Sequence, residues 1–373
     1  MRVAFWIATA FVAYAYFGYA AWLWLWSRVK PWPLRRGAFE PSVSVVLVVR
    51  DEEKTLPGKL LNLKALEYPA GRMELIVVSD GSSDSTARIM EEAARVGRCR
   101  ALIFHERKGK AARLKDAVAA ATREILLFVD SRQVIARDAL RLLMENFVED
   151  AVGCASGELM LGDAASGEAE KGMGLYWRME KKIREWESGS GSVVGATGAL
   201  YAMRRSLFVP LPDDTILDDV LLPLHVARQG ARVVFDERAR AWDSADLGAK
   251  REFRRKVRTL TGNYQLLQIA PWILGGGNPL RFRFVSHKLL RLAVPFALAA
   301  MLFSSLFAAG TFYRIAFAGQ LFFYALALLT FSGIDRGPVA RLANAAMTLI
   351  VLNSAAVVAC ANFVTGRKEV WLR

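Results

Sequence analysis

Cysteine and histidine are scarce in this 373-residue chain, which has three of each. Cys99, Cys154 and Cys360 lie far apart with no paired spacing, which excludes a disulfide framework and a zinc knuckle and suits a reducing compartment. His105, His225 and His287 are equally scattered, so neither a histidine metal site nor a Ser-His-Asp triad is indicated. No Gly-x-x-x-x-Gly-Lys-Ser/Thr run is present, and no Gly-x-Gly-x-x-Gly follows the first β-type segment, so P-loop and dinucleotide-binding readings lose their signatures. Acidic residues are in deficit, 36 against 50 Lys and Arg, for a formal charge of +14. That excess suits an anionic membrane surface or a phosphorylated small molecule. Nucleic acid is the rival partner, but the aromatic residues gather in apolar runs instead of a basic groove.

What is abundant is apolar sequence, at 54% of residues. Val3 through Trp26 carries no charge and is long enough to span a bilayer, with Trp22, Trp24, Trp26 and Trp32 expected in the interfacial belt. It is too long and aromatic for a signal peptide, and no small-residue cleavage site precedes Arg28. Arg28, Lys30, Arg35 and Arg36 outnumber Arg2, which predicts a cytoplasmic location for the domain that follows. Three further apolar stretches run over 288–309, 312–333 and 342–364. Arg291 and Arg314 near their ends can snorkel, and Arg336 and Arg341 mark a basic loop expected on the cytoplasmic side. Four spans then put Arg367, Lys368 and Arg373 on the opposite side, in conflict with the same rule. Apolar and basic residues mix over 250–258 and around Arg281, Arg283 and Lys288, which predicts helices at the membrane interface. The expected organisation is an anchor and basic linker over 1–36, an α/β domain over 37–249, interfacial helices over 250–286 and a membrane bundle over 287–373.

Within the α/β domain, Val43–Val49 breaks into Arg50-Asp51-Glu52-Glu53, and Leu56, Leu60, Leu61 and Leu63 then follow a helical stripe. Leu75–Val78 ends in Ser79-Asp80-Gly81, and Ile125–Val129 ends in Asp130-Ser131-Arg132. Strands alternating with helices favour parallel pairing, so the tips at Arg50, Asp80 and Asp130 are expected to face one crevice. Gly81 lets the backbone turn closely, and Ser85 or Asp84 is expected to cap a helix from about Thr86.

The ordered set Val-Val-Arg50-Asp-Glu52-Glu, Ser79-Asp80-Gly-Ser-Ser-Asp-Ser-Thr, Gly109-Lys110-Ala-Ala-Arg-Leu, Asp130-Ser-Arg, Gly198-Ala-Leu-Tyr-Ala-Met-Arg204-Arg, Leu217-Asp218-Asp219-Val and Arg255-Lys-Val-Arg258 resembles the family 2 glycosyltransferases of GT-A fold. The similarity runs from about Pro41 to Leu267 and is to the membrane-embedded branch with cellulose, hyaluronan and chitin-oligosaccharide synthases. It implies a GT-A domain with a mostly parallel central sheet and transmembrane helices at both ends. It also implies an inverting transfer of a sugar from a nucleotide-diphosphate sugar, expected to be a UDP-sugar, to a glycan or lipid-linked acceptor. By this resemblance Asp219 is the catalytic base with Asp218 beside it. Arg50, Glu52, Asp80, Lys110, Asp130, Arg132, Arg255 and Arg258 bind the donor, and Gly198 lies in a turn on the acceptor side.

Charge chemistry agrees with these roles. A carboxylate near a diphosphate needs a hard cation between them, and Mg²⁺ or Mn²⁺ on Asp130 would serve. The family's Asp-x-Asp reads Asp130-Ser131-Arg132 here, which removes a ligand, adds a cation and predicts weaker metal dependence; Arg132 either contacts phosphate or turns outward. The family's Gln-x-x-Arg-Trp reads Arg255-Lys256-Val257-Arg258-Thr259, which keeps the basic residue and loses the tryptophan of polymerising relatives. Adjacent acids raise one another's pKa, which suits Asp219 as a base. Expected products are β-linked sugars in cell-surface polysaccharide or glycolipid, made at the inner membrane with export proteins as partners. Two alternatives stand beside this: transfer to a polyprenyl phosphate, and a silent nucleotide-binding subunit of an export complex.

Overall fold

The computed structural model describes residues 1–69, 71–163, 168–169, 175–243, 249–332 and 337–366. Nine strands are described: β1 (Val43–Val49), β2 (Met73–Asp80), β3 (Arg100–Phe104), β4 (Ile125–Val129), β5 (Val134–Ile135), β6 (Val152–Asp163), β7 (Glu168–Ala169), β8 (Leu200–Arg204) and β9 (Arg232–Asp243). They form one sheet in the order β3-β2-β1-β4-β8-β6-β9-β5, with β7 on β6. The pairs β1–β2, β1–β4 and β2–β3 are parallel, and β8 turns the direction by pairing antiparallel with β4 and β6. β6 and β9 are again parallel, so the expected α/β fold with a mostly parallel central sheet is what is observed. The strands beyond β4 have partners from distant parts of the chain.

β4 reads as an unbroken apolar run, and β1 as one interrupted only by Ser44, because helices cover both faces of the sheet. One face carries Leu114, Leu221 and Leu266, and the other carries Leu56, Leu63, Leu140 and Phe147. In the helix Leu56–Lys64, Leu56, Leu60 and Leu63 are buried at helical spacing, each worth about 1.5–3 kcal/mol of burial. Lys59 lies on the same stripe. Its ammonium is buried and donates to the Gln133 carbonyl at 2.7 Å, and burial pushes its pKa down to about 8 against the pull of Asp130. The helix Thr86–Arg95 is capped by Asp84, which accepts from the Thr86 amide at 2.9 Å, and not by Ser85.

Among the described residues, four helices are long and apolar enough to cross a membrane: Arg2–Val29, Arg281–Phe307, Thr311–Phe331 and Gly337–Val364. The second begins at Arg281, seven residues before the apolar run does. Arg283 enters that helix buried because four acceptors surround its guanidinium: the carbonyls of Glu187, Ser190 and Ser192 and the Ser190 hydroxyl. Arg336, Arg367, Lys368 and Arg373 lie outside the described residues. Between sheet and membrane helices, Ala249–Ile269 is one 21-residue helix. It packs under the segment 212–217 through Gly262, where a Cβ would sit 2.6 Å from Leu217, and through Gln265, which bonds Ile216 N and the Asp214 carbonyl.

Candidate active site

Parallel register brings the tips together. Val49 lies opposite Ser79 and Leu47 opposite Val129, so Arg50, Asp80 and Asp130 all leave the carboxyl edge of the sheet. Between the first two tips the loops interlock: Thr86 Oγ1 accepts from Glu52 N, Asp84 from Glu53 N, and Asp51 from Ser83 N. Gly81, at φ +65°, turns so tightly that a Cβ would meet the Arg107 amide at 2.9 Å.

Asp80 is buried, and its oxygens are occupied. Oδ1 accepts from Lys108 N (2.8 Å) and Arg113 Nε (2.9 Å), and Oδ2 accepts from Gly109 N (2.9 Å). Arg113 in turn covers the Phe104 ring at 3.8 Å and bonds Asp116 and the Glu106 carbonyl. Sequence reasoning passed over Arg113. The signal was available, since it stands one turn inside the helix Lys110–Ala120 on the face that buries Ala117.

Lys110 begins that helix, so the Asp80 corner fixes where its side chain starts. Its ammonium lies 3.0 Å from Asp130 Oδ1 and 3.3 Å from Asp218 Oδ2. Burial works against the charge, but Asp130, Asp218 and Asp219 outweigh it and hold the amine above the ordinary lysine range. Asp218 is buried and also accepts from the Tyr201 hydroxyl at 3.3 Å. Asp219, half-buried at the start of the helix Asp218–Arg228, accepts from Gly198 N at 3.1 Å, and its carbonyl accepts from Ala196 N at 2.7 Å. Lost hydration and then the Asp218 charge push its pKa up to about 6, against Lys110. A Cβ at Gly198 would sit 3.3 Å from Asp219 Oδ2 and 3.5 Å from Asp130 Oδ2. The two carboxylates thus flank a space that a glycine keeps open.

The remaining donor-side candidates are placed differently. Glu52 joins the cluster indirectly, by accepting from Ser131 Oγ at 2.7 Å. Arg132 turns to Asp243, 3.5 Å away, and not to Asp130. Arg50 lies 3.5 Å from Asp51 at the rim. Arg255 is held by Glu252 of its own helix at 2.9 and 3.0 Å. Arg258 is exposed, one turn before Gly262 on the face that meets Ile216 and Leu217.

No group of three His, Cys, Asp or Glu side chains among the described residues could enclose a metal by itself. A divalent ion that draws most of its oxygens from a bound diphosphate needs only one or two carboxylates. Asp130 fits that demand, because Oδ1 meets Lys110 while Oδ2 faces the space beside Gly198.

Comparison with known proteins decides what this cleft belongs to. The sequence signature of Glycosyl transferase family 2 matches residues 44–210. Over that span the chain is similar to a family 2 glycosyltransferase domain. The family 2 match ends before Asp218 and Asp219, which the strand β8 and the turn Gly195–Gly198 bring back to it. Poly-beta-1,6-N-acetyl-D-glucosamine synthase of Staphylococcus aureus is 22% identical over 229 residues, 60% of this chain and 55% of the synthase. The Staphylococcus epidermidis synthase is 23% identical over the same span. The chain thus matches about half the length of these curated relatives. A mannosyltransferase from Pyrobaculum calidifontis, solved with GDP-Man and Mn²⁺, superposes with a TM-score of 0.76 at 22% identity, over 98% of this chain and 99% of that chain. The likeness in fold therefore includes the apolar helices at both ends.

Proposed function

We propose that this family 2 glycosyltransferase transfers a sugar from a nucleotide-diphosphate sugar to the hydroxyl of a membrane-associated glycan or glycolipid, with inversion. The observation that carries the reading is the Gly198 space, flanked on one side by Asp130 with Lys110 and on the other by Asp219. Such a transfer has two opposite electrostatic demands, a cation where the diphosphate departs and a base where the acceptor enters. Asp219 takes the proton as the acceptor oxygen forms its bond to the anomeric carbon, and the nucleoside diphosphate leaves toward Lys110. The pKa near 6 leaves Asp219 ionised at neutral pH and more basic than an ordinary carboxylate. Asp218 faces Lys110 and Tyr201, which makes it a positioning residue for the cation.

Asp130 would hold Mg²⁺ or Mn²⁺, which when bound neutralises diphosphate charge. With Lys110 already there, the metal requirement is expected to be weak. Arg258 reaches the diphosphate end from the helix Ala249–Ile269, and Asp80 acts on the donor through the loop 106–110. GDP-Man in the Pyrobaculum mannosyltransferase makes GDP-sugars donors to try beside the UDP-sugars expected from the sequence; the four apolar helices support a membrane enzyme, and the basic residues after the first support a cytoplasmic domain.

The test is to incubate the purified full-length protein, in vesicles, with UDP- and GDP-sugars and Mn²⁺ or Mg²⁺, following nucleoside diphosphate release. Release from one donor is expected, faster with acceptor lipids or glycans present. Tight nucleotide binding with no release across the panel would leave the silent-subunit reading in its place.

A further inference from the structure

Where the membrane helices meet the glycosyltransferase domain, Glu187 lies buried at the end of the helix Leu175–Gly189. Its Oε1 accepts from Tyr19 of the first apolar helix at 2.7 Å and from His287 Nδ1 of the second at 2.9 Å. His287 Nε2 meets Glu180 at 2.7 Å, and Arg291 Nη1 donates to the same Glu180 at 2.7 Å. Burial opposes ionisation of Glu180 and Glu187, yet His287 keeps both below the ordinary carboxylate range.

The other oxygen of Glu187 accepts from Val194 N at 3.3 Å. Two and four residues further on, Ala196 N and Gly198 N bond the carbonyl and carboxylate of Asp219. Arg283 holds the intervening chain by the carbonyls of Glu187, Ser190 and Ser192, with Gly191 so close that a Cβ there would lie 3.1 Å from its Nη2. One short segment, 187–198, is thus fastened to two apolar helices at one end and to the candidate base at the other.

We infer that Glu187, clamped by Tyr19 and His287, is a positioning residue for Asp219, so that the packing of the first two apolar helices sets the geometry of the base. The inference rests on the proposed role of Asp219. A carboxylate has four acceptor sites and Glu187 uses them toward three different elements, which makes its charge the common term of the arrangement.

The experiment uses the full-length protein with Glu187→Gln, His287→Asn and the milder Tyr19→Phe, which removes only a hydroxyl. Amide exchange needs no substrate: exchange over 193–198 is expected to quicken by about tenfold or more in Glu187→Gln while β1, β2 and β4 stay protected. With a donor that the wild type turns over, kcat is expected to fall about tenfold with KM for the donor within about twofold. Tyr19→Phe should show the same pattern more weakly. Unchanged exchange over 193–198, or quickening spread equally over β1, β2 and β4, overturns the inference. So does a rise in donor KM that matches the fall in kcat. Because the exchange arm involves no turnover, its failure is separable from failure of the proposed transfer.

Discussion

Two corners of the same cleft use aspartate in opposite ways. At Asp80 the carboxylate is buried and bonded to two amides and the Arg113 guanidinium. At Asp130 and Asp219 the oxygens face a space kept open by Gly198, and one ammonium stands among three acids. A saturated carboxylate builds a loop, whereas an under-satisfied one retains the capacity to exchange a proton or hold a cation. The difference teaches that position at a strand tip does not assign a role; the occupancy of the oxygens does.

The contrast breaks most visibly at Asp219. Asp219→Asn keeps the shape and the Gly198 contact but cannot take a proton, so turnover is expected to fall by about 10³-fold with folded yield unchanged, measured as nucleoside diphosphate release. Substantial residual turnover with a polyprenyl phosphate would instead favour an acceptor that is already ionised. Next comes Asp80. Asp80→Ala strands the buried Arg113 charge and frees the loop 106–110, with an expected loss of about 3–5 kcal/mol of stability by denaturant melts. The pattern sought is a stability loss at Asp80 and an activity loss at Asp219; if the two variants behave alike, the distinction between corners fails.

How much of this was legible beforehand follows from what local pattern can report. The tips at Arg50, Asp80 and Asp130 were readable because β-type apolar runs end there, and the parallel register places them as expected. The four apolar helices were readable from hydropathy. Arg132, left open between phosphate and outside, turns to Asp243, and that choice depends on a strand more than a hundred residues away. Arg255 was expected at the donor, but its own Glu252, three residues earlier, holds it; this pair was legible and was passed over. The His287 and Glu180 contact joins residues 107 positions apart, and no periodicity announces it. Periodicity reports which face of an element is buried, not which distant charge will meet it there.

Gly198 offers a smaller and sharper test of the open corner. Gly198→Ala adds one methyl 3.3 Å from Asp219 Oδ2, closer than most real contacts, and 3.5 Å from Asp130 Oδ2, an ordinary contact. The expected result is a fall of about tenfold in kcat, with stability nearly unchanged, since the space is lined by side-chain tips and not by backbone. Gly81→Ala is the control at the other corner. Its Cβ would press on the Arg107 amide at 2.9 Å from a positive-φ position, so it should destabilise the fold more than it slows the reaction.

The finest distinction lies in pH. With its pKa raised to about 6, Asp219 is ionised and active above that pH and protonated below it, so activity is retained as pH rises through 6 and lost as pH falls. The acid limb of kcat is expected to be half-maximal near pH 6, dropping tenfold per unit below that. Its neighbours fix the direction of any shift. Lys110→Met removes a positive charge that favours the ionised base and should move the limb to higher pH; Asp218→Asn removes a negative one and should move it lower. Opposite movement of the limb in the two variants is the decisive sign. Asp80→Asn, on the far corner, should leave the limb where it is. A limb that moves with Asp80 and ignores Lys110 would mean that the ionising group sits at the closed corner after all.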